Sequence, residues 1–240
     1  MKNISSILTA GIVLFFASCG NSGKETAETP AADTTAMETA AAAPDAPAFT
    51  SFKVLAIQHK VKNFEKWRVA YMAHDSMRQT YGITHFRLGR GLEDSNMVFL
   101  ADIITDVEKA KEFAASPDLK DAMKKAGVIS APSVNYDDVI RMDSSVIDQN
   151  LRVRISHRVK DFDAWLKVYE DEGKESRAVN GLIDRSLSRG IDDPNMVTIV
   201  FAISDMEKAK ARMNSTELKA LMLGAGVEGP PTILFYRLVD

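Results

Sequence analysis

The sequence predicts an α+β fold built from two consecutive, similar halves that pack their β-sheets against each other. Three observations support this prediction: a collinear internal repeat, a β-α-β-β-α-β order of elements in each copy, and an apolar content of 45%, which is sufficient for a core. The 240 residues carry a net charge of −3, with basic and acidic residues intermixed. Nucleic acid is therefore not an expected partner.

The internal repeat runs through both halves in the same order. Its first match is the segment from His59 to Trp67, which recurs from His157 to Trp165. An Arg-Gly turn, a Glu-Lys-Ala-Lys segment and an Ala-Gly-Val segment follow in both halves; they occupy residues 90–98 and 189–197, 108–111 and 207–210, and 126–128 and 225–227. Because the matches are collinear, they indicate a duplicated structural unit.

Each copy is predicted to begin with a strand, a helix and a hairpin. Residues 53–59 and 151–157 alternate between apolar and polar as strands do. Asn63 and Asp161 are suitable N-caps for the first helices. The hairpins flank a Gly/Asp/Asn turn and are expected at residues 83–90 with 97–104, and at residues 183–189 with 196–203.

The second helix of each copy is predicted to start at a Ser/Thr-x-x-Glu capping box. Thr105 and Ser204 are the predicted caps, and Ser116 and Ser215 predict a break and a second start within each helix. A glycine then ends each helix, and a last strand follows. This order of elements is the ferredoxin-like arrangement. One face of such a sheet has no helices, so the two copies are expected to bury these faces together.

The first 51 residues are predicted to export and tether the protein. Residues 1–19 have the pattern of a secretory signal, and their apolar stretch is too short to span a membrane. Cys19, the one cysteine, ends a Phe-Ala-Ser-Cys sequence that resembles a bacterial lipobox, with an ordinary secretory signal as the alternative. Residues 20–51 are rich in Ala, Thr, Glu and Pro and are predicted to be a disordered tether. We therefore expect a lipid-anchored protein of the cell envelope.

The remaining chain carries a resemblance to a known family. The His-x-Val-x-Asp/Asn-Phe-x-x-Trp segment, the Arg-Gly-x-x-Asp-x-Asn-x-Val turn and the Ala-Gly-Val segment resemble the dimeric α/β-barrel superfamily, in particular its antibiotic-biosynthesis-monooxygenase-like and cyclase-like domains. The resemblance implies two ferredoxin-like repeats, at residues 52–143 and 150–240, that form an intramolecular dimeric α/β barrel. It leaves activity open, because members include cofactor-independent oxygenases, haem-degrading enzymes and binding domains.

Candidate ligand-binding residues lie on both faces of the predicted sheet. His59 and His157 end the first strands on the side expected to face the helices, where they act either as acid/base or ligand groups or as structural histidines. His85, Arg87 and Arg154 are predicted to face the barrel interior. There they would hold a small anionic or polar-aromatic ligand, since a guanidinium presents a fixed fork of donors.

The alternative for the interior is a filled barrel in which Arg154 pairs with Asp184. The four histidines form no His-Glu-x-x-His cluster, so no metal or other cofactor is expected, and a haem bound through a histidine is the weaker alternative. Two functions remain open. One is an envelope-anchored, monooxygenase-like barrel that binds a small molecule and oxidises it without a cofactor; the other is a non-enzymatic binding or interaction module. The catalytic residues stay unassigned.

Overall fold

Residues 49–239 are the part of the chain that the structure, a computed structural model, describes. The predicted signal segment with Cys19, and the tether up to residue 48, lie outside the described residues. Within residues 49–239, the chain forms eight strands and eight helices. We call residues 52–142 the first half and residues 151–238 the second half.

The elements of the first half are β1 (Phe52–Lys60), α1 (Phe64–Ala73), α2 (Asp75–Thr80), β2 (Ile83–Gly91), β3 (Met97–Ile104), α3 (Val107–Ala115), α4 (Pro117–Lys125) and β4 (Ser133–Met142). The elements of the second half are β5 (Leu151–Val159), α5 (Phe162–Glu172), α6 (Lys174–Val179), β6 (Leu182–Gly190), β7 (Met196–Ile203), α7 (Met206–Asn214), α8 (Thr216–Gly224) and β8 (Val227–Leu238). The fold is therefore α+β, and the order of elements is the same in the two halves.

The strands pair antiparallel and close into one barrel in the order β1-β3-β2-β8-β5-β7-β6-β4. The four strands of each half are neighbours, and two seams join the halves. At one seam β2 pairs with β8 from Gly89 to Gly91, and at the other β4 pairs with β6 from Asp137 to Met142. The halves thus share backbone hydrogen bonds at their edges in addition to facing each other, so neither half keeps an open sheet edge.

The apolar cores lie between the strands and the helices. In the second half, Trp165 of α5 is 1% exposed and packs in one cluster with residues of β5, β6 and β7. In the first half, Trp67 belongs to one cluster and Phe113 to a second. Burying an aromatic side chain of this size contributes about 2 kcal/mol. A smaller apolar group with Phe99 and Tyr236 lies on the opposite face of the sheet.

Both first helices are broken, which the sequence pattern does not predict. The breaks lie at His74, between α1 and α2, and at Gly173, between α5 and α6. An arginine after each break donates from Nη1 to a carbonyl of the preceding helix: Arg78 to Tyr71 at 2.6 Å and Arg177 to Tyr169 at 2.7 Å. Each arginine thus provides a donor to a carbonyl in the last turn of the preceding helix, and the Tyr71 carbonyl also accepts from the backbone N–H of His74 at 3.2 Å.

A helix needs about 20 mainly apolar residues to cross a bilayer, and this length sets the standard for the helices between residues 49 and 239. Each is too short or too polar to cross a membrane.

Candidate functional site

The interior of the barrel holds a cavity of about 400 Å³, which we call the barrel chamber. Side chains from all eight strands line it, together with residues 143–147 after β4. Its charged lining comprises four arginines and two aspartates: Arg87, Arg152, Arg154, Arg185, Asp137 and Asp143. The interior is thus open and rich in guanidinium groups.

Arg154 and Arg87 lie in the chamber, as the strand alternation predicts. Arg154 is 7% exposed and faces Asp137 across the barrel, with Nη2 and the carboxylate 3.5 Å apart. The predicted alternative, in which Arg154 pairs with Asp184, is wrong. Arg87 is exposed at the chamber's edge and donates from Nη1 to the Phe86 carbonyl at 2.7 Å.

His85 and Asp184 do not face the chamber, contrary to the prediction. A β-bulge between His85 and Arg87 in β2, and an equivalent bulge between Asp184 and Ser186 in β6, insert one residue into each strand. The extra residue shifts the alternation of side chains. The alternation therefore changes phase at each bulge: His85 and Asp184 point to the helices, whereas Arg87 and Ser186, two residues later, line the chamber.

On the helix side, His85 and Asp184 join two related polar clusters. In the first half, the Tyr71 hydroxyl donates to Asp102 at 2.8 Å and lies 2.9 Å from Nδ1 of His85. In the second half, Tyr169 donates to Asp184 at 3.0 Å, and Arg177 donates to the same carboxylate at 2.6 and 2.8 Å. Burial, and then the charge of the nearby aspartate, raises the pKa of both tyrosines, so both stay protonated as donors.

His59 and His157 lie on the helix side at equivalent positions. Each ring packs against a tryptophan at 5.5 Å between centroids, His59 on Trp67 and His157 on Trp165. Burial lowers the pKa of each histidine to about 4. Three of their ring nitrogens, Nδ1 and Nε2 of His59 and Nε2 of His157, have no hydrogen-bond partner among the described residues. Both imidazoles are therefore neutral at pH 7.

The histidines begin a stacked series of side chains that is repeated in the two halves. Trp67 stacks on Tyr71 with 5.2 Å between centroids, and the Arg78 guanidinium lies 3.8 Å from the centre of the Tyr71 ring. The second half repeats this series with His157, Trp165, Tyr169 and Arg177. The two arginines are not among the predicted site residues, although each lies four residues before a repeated glycine, Gly82 or Gly181.

The two halves differ in the space beside this series. In the second half, a cavity of about 530 Å³, which we call the helix-side cavity, lies between the sheet and α5 to α8. The corresponding space of the first half is about 70 Å³. One difference lies two residues after the repeated Glu-Lys-Ala-Lys segment, where Phe113 is buried in the first half and Arg212 stands in the second.

The helix-side cavity is apolar along most of its wall and charged at one end. Its apolar wall includes Trp165, Ile199 and Phe201. At the charged end, Arg212 donates to Glu172 at 2.7 Å, and the same carboxylate lies 3.6 Å from Arg177. Glu172 and Arg212 are not among the predicted site residues. The signal for Arg212 was available: a cation replaces a core aromatic between two matched copies.

Comparisons with known proteins establish the fold class. No family model and no curated protein matches the chain. Among solved structures, an anthrone oxidase-like protein is 11% identical, covers 79% of this chain over 92% of its own and has a TM-score of 0.53. A protein provisionally described as a chlorite dismutase is 13% identical, covers 80% of this chain over 96% of its own and has a TM-score of 0.52. A protein from Fusobacterium nucleatum, provisionally described as a monooxygenase, is 11% identical, covers 79% of this chain over 93% of its own and has a TM-score of 0.50. At these identities the similarity shows the fold alone, which is monooxygenase-like.

A haem bound through a histidine needs an imidazole nitrogen that can reach the iron. Nε2 of His157 and both nitrogens of His59 are buried, and Nδ1 of His85 is held by Tyr71 and Asp102. In residues 49–239, no three His, Cys, Asp or Glu side chains are grouped so as to hold a metal ion. Burial of the two His59 nitrogens and of Nε2 of His157, and the contacts of Nδ1 of His85, keep these atoms from reaching an iron.

Proposed function

We propose that this protein binds a small, mainly apolar molecule with an acidic end in the helix-side cavity. The observation that carries the proposal is the asymmetry between equivalent spaces, about 530 Å³ in the second half and about 70 Å³ in the first. In a protein that binds no ligand there, side chains that fill such a space increase stability, because an apolar cavity lacks packing contacts. The first half is filled and the second is not.

The lining supports both parts of the proposed ligand. Ligand sites are typically apolar clefts of roughly 300–1,000 Å³ with a few polar groups that fix the orientation of the ligand. The helix-side cavity has such an apolar wall, to which Trp165 and Ile233 both contribute. Arg212 provides the polar group at one end. Its side chain is 19% exposed, so a carboxylate or sulfonate can reach the guanidinium while Glu172 stays paired with Arg177.

Oxidation of the bound molecule without a cofactor is the second candidate function. Such a reaction requires a base that takes a proton from the substrate, so that the resulting carbanion can react with oxygen. His157 lines the helix-side cavity and is neutral at pH 7, because burial lowers its pKa to about 4. Its Nε2 is buried against neighbouring side chains, which favours binding alone over catalysis.

Replacing Arg212 with Phe tests the binding proposal, because it copies the first-half residue into the second half. The probe is 8-anilinonaphthalene-1-sulfonate, which combines apolar rings with a sulfonate. We expect Arg212→Phe to weaken probe affinity by about tenfold or more, since a charge-assisted hydrogen bond is lost and the cavity is partly filled. Fluorescence titration measures this affinity.

The matched control adds the same ring to the same helix on its solvent side. Ala211 of α7 is exposed, and Ala211→Phe should bind the probe as the parent does. Equal probe affinity in Arg212→Phe and the parent would contradict the proposal, and so would equal losses in both variants.

We also propose that the two halves are tandem copies that form, within one chain, the barrel that dimeric α/β-barrel proteins form from two. The shared order of elements and the repeated His-Trp-Tyr-Arg series support this proposal. The barrel partner is then internal to the chain.

We further propose that the protein is a lipoprotein of the cell envelope, anchored through Cys19. The support is the signal-like stretch before Cys19 and the Ala-, Thr- and Pro-rich residues after it. Cells grown with a radioactive fatty acid should label the parent chain and not Cys19→Ser. Equal labelling of both chains would rule out this anchor.

A further inference from the structure

We propose that the barrel chamber is a second ligand site, and that it binds a small monocarboxylate with an apolar body. This site is separate from the helix-side cavity, because the two lie on opposite faces of the same strands. In β5, Arg154 faces the chamber and Ile155 the helix-side cavity; in β7, Thr198 and Ile199 divide in the same way. The proposal does not depend on the proposed function.

The carboxylate would bind at Arg154. Its side chain is 8% exposed, and its two hydrogen-bonding contacts are long: 3.5 Å to Asp137 and 3.4 Å to the hydroxyl of Thr198. The guanidinium also lies 5.6 Å from the centre of the Phe99 ring. A guanidinium carries five N–H donors in a planar fork that matches a carboxylate. Two contacts at these distances leave most of that capacity unused, in a chamber with room for a ligand.

Asp137 is the competitor of the proposed ligand. It is 3% exposed and sits on β4, across the chamber from Arg154. Burial raises the pKa of Asp137, and the nearby Arg154 guanidinium lowers it in part. Because the Asp137 carboxylate interacts only weakly with Arg154, an incoming anion can replace it as the partner of the guanidinium.

The body of the ligand is predicted from the rest of the lining. Between the polar groups, the wall is formed by small and large apolar side chains, among them Val54, Phe99, Val139 and Leu238. A phosphate or sulfate ion would leave this wall uncovered. A ring or branched chain would cover it, and about 400 Å³ accommodates such a body.

The segment after β4 provides the entrance. Residues 143–147 line the chamber, and Val146 in this segment is 98% exposed. Arg185 holds the segment in place: Nη2 donates to the Ser145 carbonyl at 2.8 Å, and Asp143 lies 3.6 Å away. With Arg87 exposed at the edge, cations lie near the entrance and would attract an anion.

Calorimetric titration with benzoate, and with benzamide as its uncharged counterpart, tests the site. The parent chain should bind benzoate and bind benzamide at least about tenfold more weakly. Asp137→Asn should bind benzoate about tenfold more tightly, since the competing charge is gone while Arg154 remains. Arg154→Met should lose benzoate binding.

Each other outcome overturns the proposal. Weaker or unchanged benzoate binding in Asp137→Asn is inconsistent with competition at Arg154, and this variant decides the case even where Arg154→Met fails to fold. Benzoate binding that survives Arg154→Met, or that matches benzamide, places the anion elsewhere. Displacement of 8-anilinonaphthalene-1-sulfonate by benzoate would assign benzoate to the helix-side cavity.

Discussion

Two buried histidines occupy equivalent positions in the two halves, and burial disfavours the charged form of both. His59 is 3% exposed and His157 is 5% exposed, and each packs against a tryptophan. Within residues 49–239, neither has an acidic partner that would stabilise the imidazolium form. Burial therefore lowers the pKa of each to about 4 from an ordinary value of 6.5. At the residue scale, both imidazoles are neutral in the folded protein, and the fold disfavours their protonation.

The free energy of unfolding should consequently fall as the pH drops from about 6.5 to about 4. In this range the unfolded chain binds protons at both histidines and the folded chain does not, so acid favours unfolding, while above pH 6.5 the contribution is flat. By pH 4 each histidine should cost about 3 kcal/mol. Urea unfolding of the parent and of His157→Gln across this range measures the effect. The variant should lose about half of the histidine-dependent slope, and parallel curves would contradict this account.

Helices α3 and α7 begin at side-chain caps that lie one residue later than the capping-box pattern indicates. Asp106 and Asp205 accept hydrogen bonds from the backbone N–H groups of Lys109 and Lys208. The predicted caps, Thr105 and Ser204, are instead held at the ends of β3 and β7, where their backbone N–H groups donate to glycine carbonyls at 3.0 Å. At the element scale, the end of a strand thus determines which of two adjacent candidates caps the next helix.

Alanine replacements at the two candidate caps of α7 separate these assignments. Asp205→Ala should lower the free energy of unfolding by about 1 kcal/mol, because an N–H group at the helix start loses its acceptor. Ser204→Ala should change it by less than about 0.5 kcal/mol. Thermal or urea unfolding measures both. A larger loss for Ser204→Ala would restore the capping box as the correct assignment.

The barrel depends on two seams between the halves, and the β2–β8 seam is the shorter one. It pairs three residues on each strand, whereas the β4–β6 seam runs from Asp137 to Met142. Gly89 lies at the β2–β8 seam against the ring of Tyr236, and a Cβ atom there would stand 2.3 Å from that ring. At the scale of the whole molecule, the absence of a side chain at Gly89 lets the two halves meet.

Gly89→Ala should therefore destabilise the whole barrel rather than one half. The added methyl group forces the Tyr236 ring or the seam to move, at a cost of about 2 kcal/mol. Gly224→Ala is the matched control, since a Cβ atom at Gly224 meets nothing within 4 Å, and it should be neutral or slightly stabilising. Urea unfolding gives the magnitudes. Equal effects of the two replacements would show that the close contact at Gly89 does not matter.

Local patterns determined much of this structure. The alternation of residues 151–157 predicts β5 and correctly directs Arg154 inward and His157 toward the helices. Asn63 and Asp161 cap α1 and α5 as predicted, because capping depends on atoms within one turn. These features are short-range, so the residues that encode them lie next to each other in the chain.

The tertiary structure decided what depends on distant residues. His85 and Asp184 turn to the helix side because bulges form when β2 and β6 pair with their neighbours, and strand alternation alone does not reveal a bulge. The helix-side cavity is open beside Arg212 and nearly closed beside Phe113, a difference that emerges only when helices pack on the sheet. The sequence by itself determined the elements and their order, while packing between remote segments decided which side chains face which space.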